Sequence, residues 1–103
     1  MTPFDISVTE LKAWIEAGKK FQLIDVREPF EHTASAIAGD LLIPMGDFLA
    51  RQQELEPDTE IVLYCRSGNR SGQVVSYMRQ HGFPDMRNLT GGILEWERTF
   101  GKI

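Results

Sequence analysis

Short β-like runs alternate along this chain with segments whose apolar residues recur at helical spacing, and that alternation leaves few architectures open. The β-like runs are Phe21–Val26, Leu41–Ile43, Ile61–Tyr64 and a brief one around Met86–Leu89. A continuous apolar run such as Ile61-Val62-Leu63-Tyr64 has no polar side to turn to water, so it reads as a strand covered on both faces. Strands of that kind separated by helices predict an α/β domain with a mostly parallel sheet. The helical segments carry their own punctuation. Ser7-Val8-Thr9-Glu10 has capping-box spacing and opens a helix whose core face is Leu11, Trp14 and Ile15, ended by Gly18. Pro29 suits the first turn of a short helix through about Ala34. Phe48, Leu49 and Leu55 predict a helix before the turn at Glu56-Pro57-Asp58. Val74, Val75, Tyr77 and Met78 predict another ending near Gly82, and Ile93, Leu94, Trp96 and Phe100 a last one after Gly91-Gly92.

With 103 residues, 42% hydrophobic and 25% charged, the expectation is one globular domain over residues 1–103, its core at about 7–100. The net charge of −4 repels nucleic acid and anionic lipid, so neither is an expected partner. A single cysteine excludes an internal disulfide and a Cys-only zinc site. His32 and His81 lie far from metal-ligand spacing relative to Cys65, and neither is assigned a role. No metal and no cofactor are expected. The lone thiol points to a reducing, cytoplasmic location. Met1–Gly18 holds no apolar run or cleavage pattern of a signal peptide.

The chemistry concentrates in Cys65-Arg66-Ser67-Gly68-Asn69-Arg70-Ser71, between the clearest strand and a helix. Ligands of open α/β sheets bind at the carboxyl ends of strands, where this loop falls. Ser67, Gly68 and Asn69 tolerate unusual dihedrals, so the loop can curl and aim successive amides inward as an anion nest. The helix starting near Arg70 adds the positive end of its dipole. A lone cysteine after an apolar strand is more often a small buried hydrophobe than a nucleophile. Here the conjunction with a strand end, a small-residue loop, two arginines and a helix start points instead to an acidic thiol that attacks as the thiolate.

The same segment resembles the active-site loop of the rhodanese family, C-R-x-G-x-R-[ST]. Asp25-Val26-Arg27-Glu28 followed by Phe30-Glu31 is similar to the family's D-V-R-x-x-x-E-[FYW]. Leu42-Ile43-Pro44 resembles its N-I-P step. Asn88-Leu89, Gly91-Gly92 and Trp96 resemble its N-L-x-G-G-x-x-x-W close. The match runs from about Ser7 to Trp96. The resemblance implies a single rhodanese-like domain with a central five-stranded parallel sheet flanked by helices on both faces. One stretch departs from the family: Ser35-Ala36-Ile37-Ala38-Gly39-Asp40 stands where G-H-I-x-G-A is usual.

The resemblance also implies an activity, thiosulfate sulfurtransferase. Cys65 would take the outer sulfur of thiosulfate or a similar donor as a persulfide. It would then pass that sulfur to cyanide in an assay, or to a thiol or sulfur-accepting protein in the cell. Arg66, Ser67, Gly68, Asn69, Arg70 and Ser71 are the substrate-binding candidates, with Arg66 steering the anionic donor and Ser67 and Ser71 donating to the sulfur. Arg70 either binds donor oxygens or locks the loop on a carboxylate. Locking is favoured, with Asp25 as the candidate partner. Asp25 and Arg27 are read as supporting residues in an ion network with Glu28. Tyr64 is expected to face away from Cys65 by strand alternation. The alternatives are a sulfur-relay carrier, a non-catalytic interaction module and a small phosphatase or arsenate reductase. Phosphatase and reductase loops on this fold read C-x5-R, whereas Cys65 to Arg70 reads C-x4-R, a tighter ring suited to one sulfur atom.

Overall fold

A computed structural model describes residues 2–102. Five strands form one sheet in the order β1-β5-β4-β2-β3, and every neighbouring pair is parallel. They are β1 (Asp5–Ile6), β2 (Gln22–Asp25), β3 (Leu41–Leu42), β4 (Ile61–Tyr64) and β5 (Met86–Leu89). The helices are α1 (Val8–Glu16), α2 (Pro29–Ala34), α3 (Asn69–Arg79) and α4 (Gly92–Phe100). β4 is central because all four of its residues are apolar or aromatic and buried. Its alternation divides the core in two. Ile61 and Leu63 join Val75 and Met78 of α3 on one face. Val62 and Tyr64 join Leu11 of α1 and Ile93 and Trp96 of α4 on the other. Each such side chain taken from water contributes about 1.5–3 kcal/mol, so the helices are held to both faces by the strand pattern itself.

Capping fixes where helices begin. The Ser7 side chain accepts the Glu10 amide, and Glu10 reaches back to the Ser7 amide. In α2, Pro29 occupies the first turn, and Glu31 accepts the Glu28 amide at 3.1 Å.

One local expectation changes, and the expected fifth strand falls where the sequence shows no β-like run. The segment at Phe48–Leu55 is wound as 3-10 turns, Met45–Asp47 and Leu49–Glu54, rather than an α-helix. Neither turn has a side-chain cap, and their closing bonds run i to i+3, as from Leu55 N to Gln52 O. Phe48 and Leu55 are both buried in the core, and the longer rise of the 3-10 form (~2.0 Å per residue) stretches a short segment between two such anchors. The fifth strand, β1, is only two residues long, too short to show a periodicity. It is recruited by β5, pairing Asp5 with Asn88 and Ile6 with Leu89.

The register brings the site together. Asp25 lies opposite Tyr64, so β2 and β4 end level and the chain leaves both at one edge. Val26 and Cys65, the next residues, therefore leave the sheet side by side, with Arg27 one residue further on, and Asn88 of β5 lies opposite Leu63 on the other flank.

Candidate active site

Cys65 follows directly on β4 and is 1% exposed. Its sulfur sits inside the turn that leads into α3. The Gly68 amide donates to Sγ at 3.1 Å, the Ser71 amide at 3.5 Å, and the Ser71 hydroxyl lies at 3.3 Å. Gly68 makes the turn possible with φ 106°, a left-handed conformation that side chains resist. The outer wall is α4. Its first amides, Ile93 N and Leu94 N, donate to the carbonyls of Cys65 (2.9 Å) and Arg66 (3.1 Å). Those carbonyls are held away from the sulfur, which leaves the inward side of the loop to N–H donors.

Electrostatics follow from this geometry. Burial pushes the Cys65 thiol up, but the Ser71 hydroxyl and the amides of Ser71, Gly68 and Ser67 outweigh it, and the thiol ends below its ordinary value. The cradle thus stabilises the thiolate relative to an ordinary thiol. Ser67 contributes through its amide, and Asn69 supplies the first residue of α3, whose dipole points at the sulfur. Arg66 is exposed and lines a cleft with Phe30, Ala34 and Leu94.

Arg70 is locked, but not by Asp25. Its two terminal nitrogens donate to the Glu31 carboxylate at 2.8 and 2.9 Å. Asp25 is already saturated: Arg27 donates from its amide, Nε and Nη2, each at 2.9 Å, and His32 Nδ1 lies at 2.9 Å. The residue able to reach the loop is the glutamate of α2. Arg70 outweighs the effect of burial and, with the Glu28 amide, lowers the Glu31 carboxyl to about 2. Glu31 therefore ties the start of α2 to the first turn of α3.

The predicted supporting pair, Asp25 and Arg27, is buried and forms a bidentate ion pair beside the loop. Arg27 also donates to the Ser35 carbonyl, which fixes the stretch that departs from the family. Within that stretch Asp40 accepts the Tyr64 hydroxyl at 2.6 Å, and the Ile37 amide donates to the same hydroxyl oxygen of Tyr64 at 3.1 Å. Tyr64 lies on the face opposite Cys65, as alternation predicts. Asp25, His32 and Asp40 bring metal-type donor atoms within 4.8 Å of one another, but both oxygens of Asp25 are committed to the Arg27 cation. Two contributors lie beyond the reach of the sequence patterns. His32 falls where the D-V-R-x-x-x-E-[FYW] pattern has its aromatic residue, and Asn88 stands in a motif without a stated role. Asn88 is 7% exposed and accepts the Ser71 hydroxyl at 2.6 Å.

Glu31 yields a pH-dependent prediction. Its folded pKa of about 2 lies below the ordinary value of 4.5, so its stabilisation is complete above about pH 5 and lost as the pH falls toward 2. Arg70 is 35% exposed, and solvent screening limits the pair to about 1 kcal/mol. Glu31→Gln is expected to lose that amount in urea unfolding at pH 7, with the gap to wild type closing as the pH approaches 2. A constant gap would reject the ion pair as its source.

This sheet, with a cysteine cradled by amides where the central strand meets a helix, defines a class of protein, and sequence comparison agrees. The model of the rhodanese-like domain matches residues 7–99. The chain belongs to the rhodanese-like family. A protein of Allochromatium vinosum named sulfurtransferase is 41% identical over 76 residues, with 74% of this chain and 71% of that one aligned. MoeZ of Mycobacterium tuberculosis, named as a probable adenylyltransferase/sulfurtransferase, is 39% identical over 98 residues; the match covers 90% of this chain but 24% of MoeZ. Among solved structures, the human single-domain sulfurtransferase TSTD1 superposes with a TM-score of 0.83 at 28% identity, over 94% of this chain and 97% of that one. No helix among the described residues is long and apolar enough to cross a membrane.

Proposed function

We propose that this chain is a thiosulfate sulfurtransferase that carries sulfane sulfur on Cys65. The observation that carries the reading is the Gly68 amide 3.1 Å from Sγ, within a ring completed by the amide and hydroxyl of Ser71. In the first half-reaction the Cys65 thiolate attacks the outer sulfur of thiosulfate. A new S–S bond forms, the old one breaks, and sulfite leaves with its electron pair. The Cys65 persulfide then bears the negative charge on its terminal sulfur, next to the inward amides. In the second half-reaction cyanide, or a thiolate of a small molecule or protein, attacks that sulfur and Cys65 returns as thiolate. In the cell the acceptor is a thiol, and the reducing cytoplasm suits a chemistry that needs Cys65 reduced.

Steady-state kinetics with thiosulfate and cyanide test this reading. Thiocyanate formation with parallel double-reciprocal lines is expected. Hydrolysis of a phosphotyrosine analogue without thiocyanate would replace the reading with a phosphatase. Arg66 is exposed near the cradle and is proposed to steer the dianionic donor. Arg66→Ala is expected to raise the KM for thiosulfate about tenfold, equivalent to ~1.4 kcal/mol, with an unchanged melting temperature. An unchanged KM would remove Arg66 from donor binding.

A further inference from the structure

The Ser71 hydroxyl has one proton and two acceptors in reach. Oγ lies 2.6 Å from Asn88 Oδ1 and 3.3 Å from Cys65 Sγ. Asn88 cannot turn away, because its Nδ2 donates to the Gly68 carbonyl at 3.2 Å, which fixes Oδ1 toward Ser71. Asn88 is also held by β5, where its own amide donates to Phe4 O at 2.8 Å, and Gly72 packs closely against it (a Cβ there would lie 3.4 Å from Nδ2). One buried side chain thus contacts both parts of the sulfur cradle: Gly68, whose amide lies nearest the sulfur, and Ser71, its hydroxyl donor.

We infer that Asn88 is a positioning residue that competes with the Cys65 sulfur for the Ser71 hydroxyl proton, so that this proton follows the charge on the sulfur. With a neutral thiol, the S–H donates to Ser71 Oγ and the hydroxyl donates to Asn88. When the thiol loses its proton to solvent, the hydroxyl turns to Sγ and Asn88 Oδ1 gives up its donor. No bond to carbon or sulfur changes beyond that S–H ionisation; only a hydrogen bond moves. On the persulfide reading of the site, the negative charge then passes to the outer sulfur and the hydroxyl returns to Asn88. The competition itself needs no donor or acceptor molecule and is measurable on the free protein.

The test is a double-mutant cycle on the thiol titration, read from thiolate absorbance and from the pH dependence of iodoacetamide alkylation. Asn88→Leu is combined with Ser71→Ala. The charged neighbours stay the same throughout: Arg66, Arg70 with its partner Glu31, the Asp25–Arg27–His32 cluster, and Glu95 and Glu97 of α4. In the wild-type background, removing the competitor is expected to move the thiol midpoint down by about half to one pH unit, the size of one net hydrogen bond. In the Ser71→Ala background the downward shift is expected to vanish, since no proton remains to compete for. Asn88→Asp gives a second arm should the leucine variant not fold. Its carboxylate holds the Ser71 proton more tightly, so the midpoint rises more with Ser71 present than in the Ser71→Ala background, beyond the charge effect common to both. Equal shifts in the two backgrounds, for either variant, would overturn the inference and leave Asn88 as a scaffold residue only. Absence of thiocyanate formation by the wild-type protein, with the coupling intact, would count against the sulfurtransferase reading alone.

Discussion

Gly92→Ala is expected to cost at least about 4 kcal/mol, far more than an ordinary glycine substitution. Gly92 opens α4 with φ +59°, and a Cβ there would lie 2.4 Å from Cys65 O and 2.5 Å from Arg66 O. These are backbone atoms, so no side chain can swing aside. Relief requires α4 to withdraw from the loop, which breaks the bonds from Ile93 and Leu94 to the same carbonyls. Two net hydrogen bonds at about 1 kcal/mol each, the left-handed penalty of about 1–2 kcal/mol and lost packing around Ile93 and Trp96 add in one direction. A domain with about 5–15 kcal/mol of stability loses much of it. Chemical denaturation measures the change, and Gly46→Ala serves as the control, since nothing lies within 4 Å of its Cβ position. Equal stability of the two variants would mean that α4 does not press on the loop as described.

Cys65→Ser is expected to reduce thiocyanate formation at least about 10³-fold while the protein remains folded. A hydroxyl fits where the thiol sits and can accept from the same Gly68 and Ser71 donors, so the fold loses little. What disappears is the thiol, whose ionisation the cradle eases and which the proposed reaction uses as its nucleophile. Residual turnover close to wild type would place the chemistry on another residue, and the chain has no second cysteine to supply it.

How much of this was legible in the sequence depends on how local each cause is. The centre of the sheet was readable because Ile61–Tyr64 is apolar throughout and lies before a glycine-containing turn. The opposite facing of Tyr64 and Cys65 needed only the period of a strand. The capping box at Ser7 and the proline entry to α2 are likewise nearest-neighbour effects. β1 was invisible because two residues carry no periodicity, and its strand character comes from β5 alongside it. The partner of Arg70 is hidden from the sequence for a similar reason. Asp25 and Glu31 both lie in the same motif, and only the folded register shows that Arg27 and His32 have already saturated Asp25. Asn88 is the extreme case. Its importance lies in meeting Gly68 and Ser71 across the sheet edge, a juxtaposition that no local pattern encodes.

The central proposal is that Cys65 carries sulfur. Intact-mass measurement after incubation with thiosulfate tests it directly. The prediction is a gain of one sulfur atom, removed by cyanide with recovery of the original mass, and absent from Cys65→Ser. An unchanged mass in wild-type protein, under conditions where the thiol still alkylates freely, would contradict it.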